Sequence, residues 1–409
     1  MSSTCQTLLL FLLAGSLTAP PASAGPWQEF PLLPSSDDQE NPDIEGTLVV
    51  WQEFVSQFGD YDVYVADVND LEDIVVTAIG DEKDQTHPAV HRRTVVWQEF
   101  VSDHESGDWD IRMADVTDMN EPMPFVVSDL VGIDEQRPVI SGNTIVWEES
   151  AGVGFDIYGA DVTDPCLPLV FPVAPFDLDQ RHPAIYRNTV VWEDNYFGDW
   201  DLWAADIWLR DEPEELAVAL FEGDQQGGAV SADVAVWQDN PFGDWDIYAA
   251  RIADEGTPRD FAIAATEFDE RNPDVDGHLV VWQSLRAGNW DVFGYNLVTK
   301  RRFRVTDHPG DQVNPAVSGN IVVWQDDRDG RWNIYAAVLE GPAVAGCKTT
   351  LPGDVDGNCR VDFADLALMA SSWLECELDG PGLCRPGPGK AGFAAELRGW
   401  DQVGAGRMR

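Results

Sequence analysis

The sequence predicts an all-β chain, a seven-bladed β-propeller of four-stranded blades, with a small loop-helix module behind it. The pattern Asp-Gln/Glu-x-x-Pro, then Val-Val-Trp, then Asp-Ile-Tyr returns seven times, with single-residue departures such as Gly228 for the proline, between Asp38 and Leu339. Its anchor tryptophans are Trp51, Trp97, Trp147, Trp192, Trp237, Trp282 and Trp324, spaced 46, 50, 45, 45, 45 and 42 residues apart. An aspartate stands 13 residues before each of them: Asp38, Asp84, Asp134, Asp179, Asp224, Asp269 and Asp311. A period in the forties, built from short strands with no helical periodicity between them, belongs to a radial β-repeat.

Each repeat parses into four strands. The first is short, as in Pro88-Ala89-Val90 or Pro315-Ala316-Val317, and a tight turn such as Ser318-Gly319-Asn320 closes it. The second is the apolar run ending in tryptophan, as in Ile321-Val322-Val323-Trp324. A continuous β-branched run of this kind suits a strand covered on both faces. A Gly-Asp hairpin leads to the third strand, as in Asp246-Ile247-Tyr248-Ala249-Ala250, and the fourth is less regular, as in Phe261-Ala262-Ile263 or Phe303-Arg304-Val305. The seventh repeat stops at Gly341-Pro342 without a fourth strand, whereas Trp27–Leu32 stands where a fourth strand would precede Asp38. That segment is expected to close the ring by pairing into the last blade, removing the open edge of a linear array.

The termini and the composition bound the rest. Residues 1–24 read as a secretory signal peptide, with an apolar stretch from Leu8 to Leu13 and the small residues Ala22-Ser23-Ala24 at the cleavage point. No later segment is long and apolar enough to span a bilayer. The chain is therefore expected to be secreted, extracellular or at the cell surface, the periplasm being a further option. The formal net charge of −48 argues against nucleic acid and anionic membranes as partners, since both call for cationic patches. Divalent cations, neutral glycans and basic proteins stay open. Cys347, Cys359, Cys376 and Cys384 crowd into one C-terminal segment, as disulfides of a small exported module would, and three connectivities are open to them. Cys166 is the odd cysteine, a buried or free thiol within a loop.

The series Pro315-Ala316-Val317-Ser318-Gly319-Asn320 running into Val322-Val323-Trp324-Gln325-Asp326 and then Trp332-Asn333-Ile334-Tyr335 resembles the TolB-type propeller repeat of periplasmic and cell-surface proteins. The resemblance covers residues 26–342 and implies the fold far more than an activity, because related propellers bind proteins, bind sugars or carry enzyme sites.

A linker, 343–350, leads to a second module at 351–384. Asp354, Asp356, Asn358, Asp362 and Asp365 fall at positions 1, 3, 5, 9 and 12 of a loop, the spacing that wraps oxygen ligands around Ca²⁺, with the backbone carbonyl of Arg360 completing the set. Phe363, Leu366, Met369 and Trp373 mark one face of a helix leaving the loop. The segment resembles the calcium loop and helix of a type I dockerin, an EF-hand-like unit, and the resemblance implies a cohesin-type partner. Loop position 6, usually glycine, is Cys359 here. A disulfide from it, with Cys376 as one candidate partner, would hold that turn. Dockerins carry two such segments and this chain shows one, which puts the docking in doubt. Residues 385–409 are Pro/Gly-rich and read as a disordered tail.

Chemistry is expected at one mouth of the propeller. In an antiparallel blade, the loop entering strand one and the hairpin between strands two and three emerge on the same face. The first carries the seven aspartates; the second carries Glu53, Glu99, Glu149, Asp194, Asp239 and Asp326, with Ser284 as the exception. Phe54, Phe100, Tyr196, Phe197, Trp200, Phe242 and Trp245 lie in or beside the hairpins, so a rim of carboxylates and aromatic rings is expected, the means by which proteins hold sugars. Recurrence in seven copies favours a structural role for the aspartates, as acceptors for backbone N–H groups. His87 and His182 share a repeat slot filled elsewhere by Asn41, Arg137, Gly227, Asn272 and Asn314; such tolerance reads as surface variation. No His-Glu-x-x-His, Gly-x-Ser-x-Gly or phosphate-cradling loop is present. The expected role is non-enzymatic recognition of a glycan or surface protein. The alternatives are a polysaccharide lyase or hydrolase working at the same mouth, and a structural surface scaffold.

Overall fold

A computed structural model describes residues 27–340, apart from 72–73, 81–82, 103–106, 151–153, 177, 211–212, 241–242, 253–257 and 287. The expected signal segment, linker, dockerin-like module with its expected calcium ligands and four cysteines, and tail lie outside the described residues.

Within them the chain forms seven four-stranded antiparallel sheets and no helix. Blade two is representative, with strands Gln85–His91, Thr94–Val101, Asp108–Asp115 and Met123–Ser128 paired in sequence order. The first strands of successive blades contact one another around the whole ring, including blade seven against blade one, which places them innermost. The last blade is completed from the N-terminus. Glu29–Pro31 pairs with Asn333–Val338 in register Glu29↔Ala337 to Pro31↔Tyr335, as the missing fourth strand predicted.

The core lies between blades. All seven anchor tryptophans are at most 1% exposed. Trp97 packs on Val50, Val63 and Val65 of blade one, and Trp237 packs on Val191 and Leu202 of blade four. The remaining copies repeat this, each tryptophan filling the gap to the preceding blade while the alternate valines face the next one. That is why the second strand is apolar on both faces. Cross-strand ring pairs support it, such as Trp51 stacked on Tyr64 at 5.8 Å.

The first strands are longer than their apolar centres imply. In blade two the ladder starts at Gln85↔Glu99 and shifts register between Thr86 and Ala89, leaving His87 and Pro88 opposite Trp97. The same bulge recurs in every blade. Its first residue is left-handed each time: Asn41 (φ 51°), His87 (52°), Arg137 (52°), His182 (49°), Gly227 (62°), Asn272 (49°) and Asn314 (49°). The slot that reads in sequence as surface variation is therefore a fixed backbone feature of the innermost strand.

Candidate functional site: the hairpin-side mouth of the channel

Two bonds per blade to a side chain, together with one to the repeat aspartate's backbone carbonyl, build this mouth. The Oδ1 of each repeat aspartate accepts the backbone N–H of the residue that precedes the third strand's Asp-Ile-Tyr in the preceding blade. Tyr61 donates to Asp84 and Trp109 to Asp134. Phe155 donates to Asp179, Trp200 to Asp224 and Trp245 to Asp269. Trp290 and Trp332 complete the ring on Asp311 and Asp38, all seven bonds lying between 2.8 and 3.2 Å. The backbone carbonyl of the same aspartate takes an N–H of its own blade's hairpin, as in Phe100 N to Asp84 O at 2.9 Å. The structural reading of the aspartates holds, with the bond reaching across to the neighbouring blade.

The second bond runs from the left-handed residue. Its N–H donates to the Gln or Glu that follows the preceding blade's anchor tryptophan, as in His87 N to Gln52 at 2.9 Å and His182 N to Glu148 at 2.7 Å. All seven copies are present, at 2.7–3.0 Å.

The expected rim of hairpin carboxylates is not there. Glu53, Glu99, Glu149, Asp194, Asp239 and Asp326 are at most 8% exposed, because each faces the buried residue after the repeat aspartate across the first two strands. Gln39 Nε2 donates to Glu53 at 2.8 Å and Gln225 Nε2 to Asp239 at 3.2 Å. The aspartates opening strand three are also largely buried, Asp201 being pushed up to about 6 by burial and then by Asp199 and Asp194.

Of the proposed aromatic contacts, Phe54 packs edge-on to Tyr61 and Phe100 edge-on to Trp109. Tyr196 and Phe197 form an exposed edge-on pair, while Trp200 and Trp245 are half-buried. Phe242 lies outside the described residues. The sequence reading picked out only two members of a larger set. The residue before each third-strand aspartate (asparagine in blade seven) is aromatic in all seven blades, which adds Tyr61, Trp109, Phe155, Trp290 and Trp332, all half-buried. That regularity was visible in the repeat. Arg181 lies over the rings of Phe155 and Trp200, 4.8 and 5.9 Å from their centroids, and Arg271 over Trp245 at 5.4 Å.

The innermost ring departs from sevenfold symmetry. Blades six, seven and one present Asn272, Asn314 and Asn41, with Asn272 Nδ2 donating to Asn314 Oδ1 at 2.7 Å. Blades two, three and four present His87, Arg137 and His182. Behind the last two the usual Gln is replaced by Glu148 and Glu193, at 3% and 2% exposure. Glu148 Oε1 is 3.8 Å from Arg137 Nε, and Glu193 Oε2 is 2.9 Å from His182 Nδ1. Burial lowers the pKa of His182, but Glu193 and Glu148 more than compensate and hold it above the ordinary histidine value. His87 is driven down to about 4 by burial, then by Arg137 and His182. Among the described residues no group of three or more His, Cys, Asp or Glu is arranged to hold a metal ion, and Cys166 is an exposed free thiol.

The architecture defines a seven-bladed β-propeller. Oligogalacturonate lyase from Vibrio parahaemolyticus is similar over 79% of this chain and 96% of its own, with 12% identity and a TM-score of 0.57. The propeller domain of the Trilobed protease from Pyrococcus furiosus is similar over 76% and 95%, with 12% identity and a TM-score of 0.53. TolB from Acinetobacter baumannii aligns over 68% and 81%, with 13% identity and a TM-score of 0.44. No protein-family model and no curated protein matches the chain. At such identities the likeness to the lyase and to the protease propeller is one of fold.

Proposed function

We propose that this is an exported binding propeller that receives a glycan at its hairpin-side mouth. The observation that carries the reading is the sevenfold set of half-buried aromatic residues, Tyr61 to Trp332, anchored there by their backbone bonds to the repeat aspartates. Half-buried rings held at one mouth suit stacking against sugar faces, with Arg181 and Arg271, which lie over Phe155, Trp200 and Trp245, having to move aside or join the contact there. A panel of neutral and acidic polysaccharides against the purified chain tests it, with each mixture assayed for new reducing ends and for the ultraviolet absorbance of unsaturated products. Retention without product supports binding; no retention of any glycan sinks it in favour of a protein partner or scaffold.

A second reading, an enzyme acting on polysaccharide at the same mouth, draws support from the Arg137 and His182–Glu193 arrangement, which breaks the repeat symmetry as a catalytic group would. The shared fold with a lyase adds weight to it at the level of architecture alone. Product in the same assay would establish it.

The export signal and the Ca²⁺ loop of Asp354, Asp356, Asn358, Arg360, Asp362 and Asp365 belong to the same proposal and rest on the sequence. Calcium would order the C-terminal module, leaving the propeller to meet the ligand.

A further inference from the structure

The left-handed slot is unfavourable for most residues with a side chain; glycine adopts it freely, and asparagine and histidine enter it more readily than arginine. Four of the seven blades use Asn or Gly there. Blades two, three and four place His87, Arg137 and His182 in it instead, on three consecutive innermost strands that contact one another. In blades three and four the partner position has changed with it. Glu148 and Glu193 stand where the other five blades have Gln52, Gln98, Gln238, Gln283 and Gln325. Both carboxylates are occupied from behind, Glu148 by His182 N–H and Glu193 by Gly227 N–H, each at 2.7 Å. The basic side chains stand in front of them, Arg137 44% and His182 41% exposed. The contact of Glu193 with His182 Nδ1 fixes that nitrogen as the donor to Glu193 and leaves Nε2 for a ligand.

We propose that His87, Arg137 and His182 form a site for one carboxylate group of the ligand, with the Arg137 guanidinium and His182 Nε2 gripping its oxygens. The site rests on the glycan reading and narrows it to sugars that carry uronic acid. The protein's overall negative charge does not oppose this, because at 0.15 M salt its field is screened over roughly 8 Å while the arc acts in direct contact. Arginine supplies the planar fork that matches a carboxylate.

The test uses a uronic-acid trisaccharide and the neutral trisaccharide of the same length, titrated calorimetrically into the full chain at 0.15 M salt. The variants are Arg137→Asn and the triple His87→Asn/Arg137→Asn/His182→Asn. Asparagine is the residue that three other blades hold in this slot, so the ring is expected to keep its fold, with thermal unfolding as the check. The expected result is preference for the acidic sugar, weakened tenfold or more by Arg137→Asn and abolished in the triple variant. The neutral sugar should be unchanged. In parallel, the His182 ring Cε1–H resonance should shift on adding the free uronic-acid monomer or acetate to wild type and stay fixed in Arg137→Asn. Equal affinity for both trisaccharides, or acidic binding indifferent to Arg137, overturns the site while leaving glycan recognition standing. Binding of neither trisaccharide, with acetate, a carboxylate that is no sugar, still moving His182 in an Arg137-dependent way, supports the carboxylate site and counts against the glycan reading.

Discussion

Replacing Glu135 by Gln should remove a pH dependence that is built into blade three. In four blades the buried residue after the repeat aspartate is a glutamine that donates to the hairpin carboxylate opposite: Gln39 to Glu53, Gln85 to Glu99, Gln180 to Asp194 and Gln225 to Asp239. Blade three sets Glu135, fully buried, opposite Glu149, 5% exposed. Two carboxylates set opposite each other in a buried place repel, which favours the protonated form. Burial is the main cause that pushes Glu135 up to about 8, with Glu149 and Asp110 adding to it against the hydrogen bond from Ser128. The folded state therefore binds this proton more tightly than the unfolded chain, whose glutamate titrates near 4.5. Stability from this group is complete below about pH 4.5, falls as pH rises towards 8, and is level above it. A shift of that size is worth on the order of 5 kcal/mol at about 1.4 kcal/mol per pKa unit, of which roughly 4 falls between pH 5 and 9. With an unfolding entropy of roughly 2.1 cal/mol/K per residue over about 300 residues, that is a fall of roughly 6 °C in Tm. Calorimetric Tm profiles of wild type and Glu135→Gln across this range should diverge by that amount, the variant being flatter and more stable at pH 9. Glu149→Gln should flatten the profile only in part, since Glu149 adds to a shift that burial dominates. Parallel profiles for wild type and Glu135→Gln would refute the reasoning.

Three further outcomes follow from other contacts. Arg328 ties the blade-seven hairpin to the closing strand, 2.6 Å from Glu29 and 2.5 Å from Asp326; Arg328→Leu strands two buried carboxylates and should cost about 3–5 kcal/mol in denaturant unfolding, whereas a change under 1 kcal/mol would show that the clasp is idle. Gly228→Ala puts a Cβ 2.5 Å from Leu202 Cδ1 between blades four and five, and should lose about 1–3 kcal/mol by the same measurement; an unchanged midpoint would contradict that packing. Calcium titration of the full chain should show binding that Asp354→Ala and Asp365→Ala each weaken at least tenfold, and wild type that takes up no calcium would end the loop reading.

The blade count, the strand order within a blade, the closing segment and the tryptophan core were legible because each depends on short-range pattern. A β-branched run ending in tryptophan has to be covered on both sides, and only neighbouring blades can do so. The aspartates were legible as backbone acceptors from recurrence alone. The aromatic set was present in the repeat and only partly read. The hairpin carboxylates misled, because acidic residues near a turn look solvated until the opposing glutamine is seen to bury them. The arc of His87, Arg137 and His182 lies 45–50 residues apart per step, and in one dimension it is a tolerant slot. What the sequence by itself determined is the ring, since the hydrophobic period and turn spacing leave little choice of architecture. What only the tertiary structure decided is which copies of the repeat differ together. Closing the ring sets the same slot of successive blades side by side on the innermost strand, and residues far apart in the chain then share one electrostatic environment.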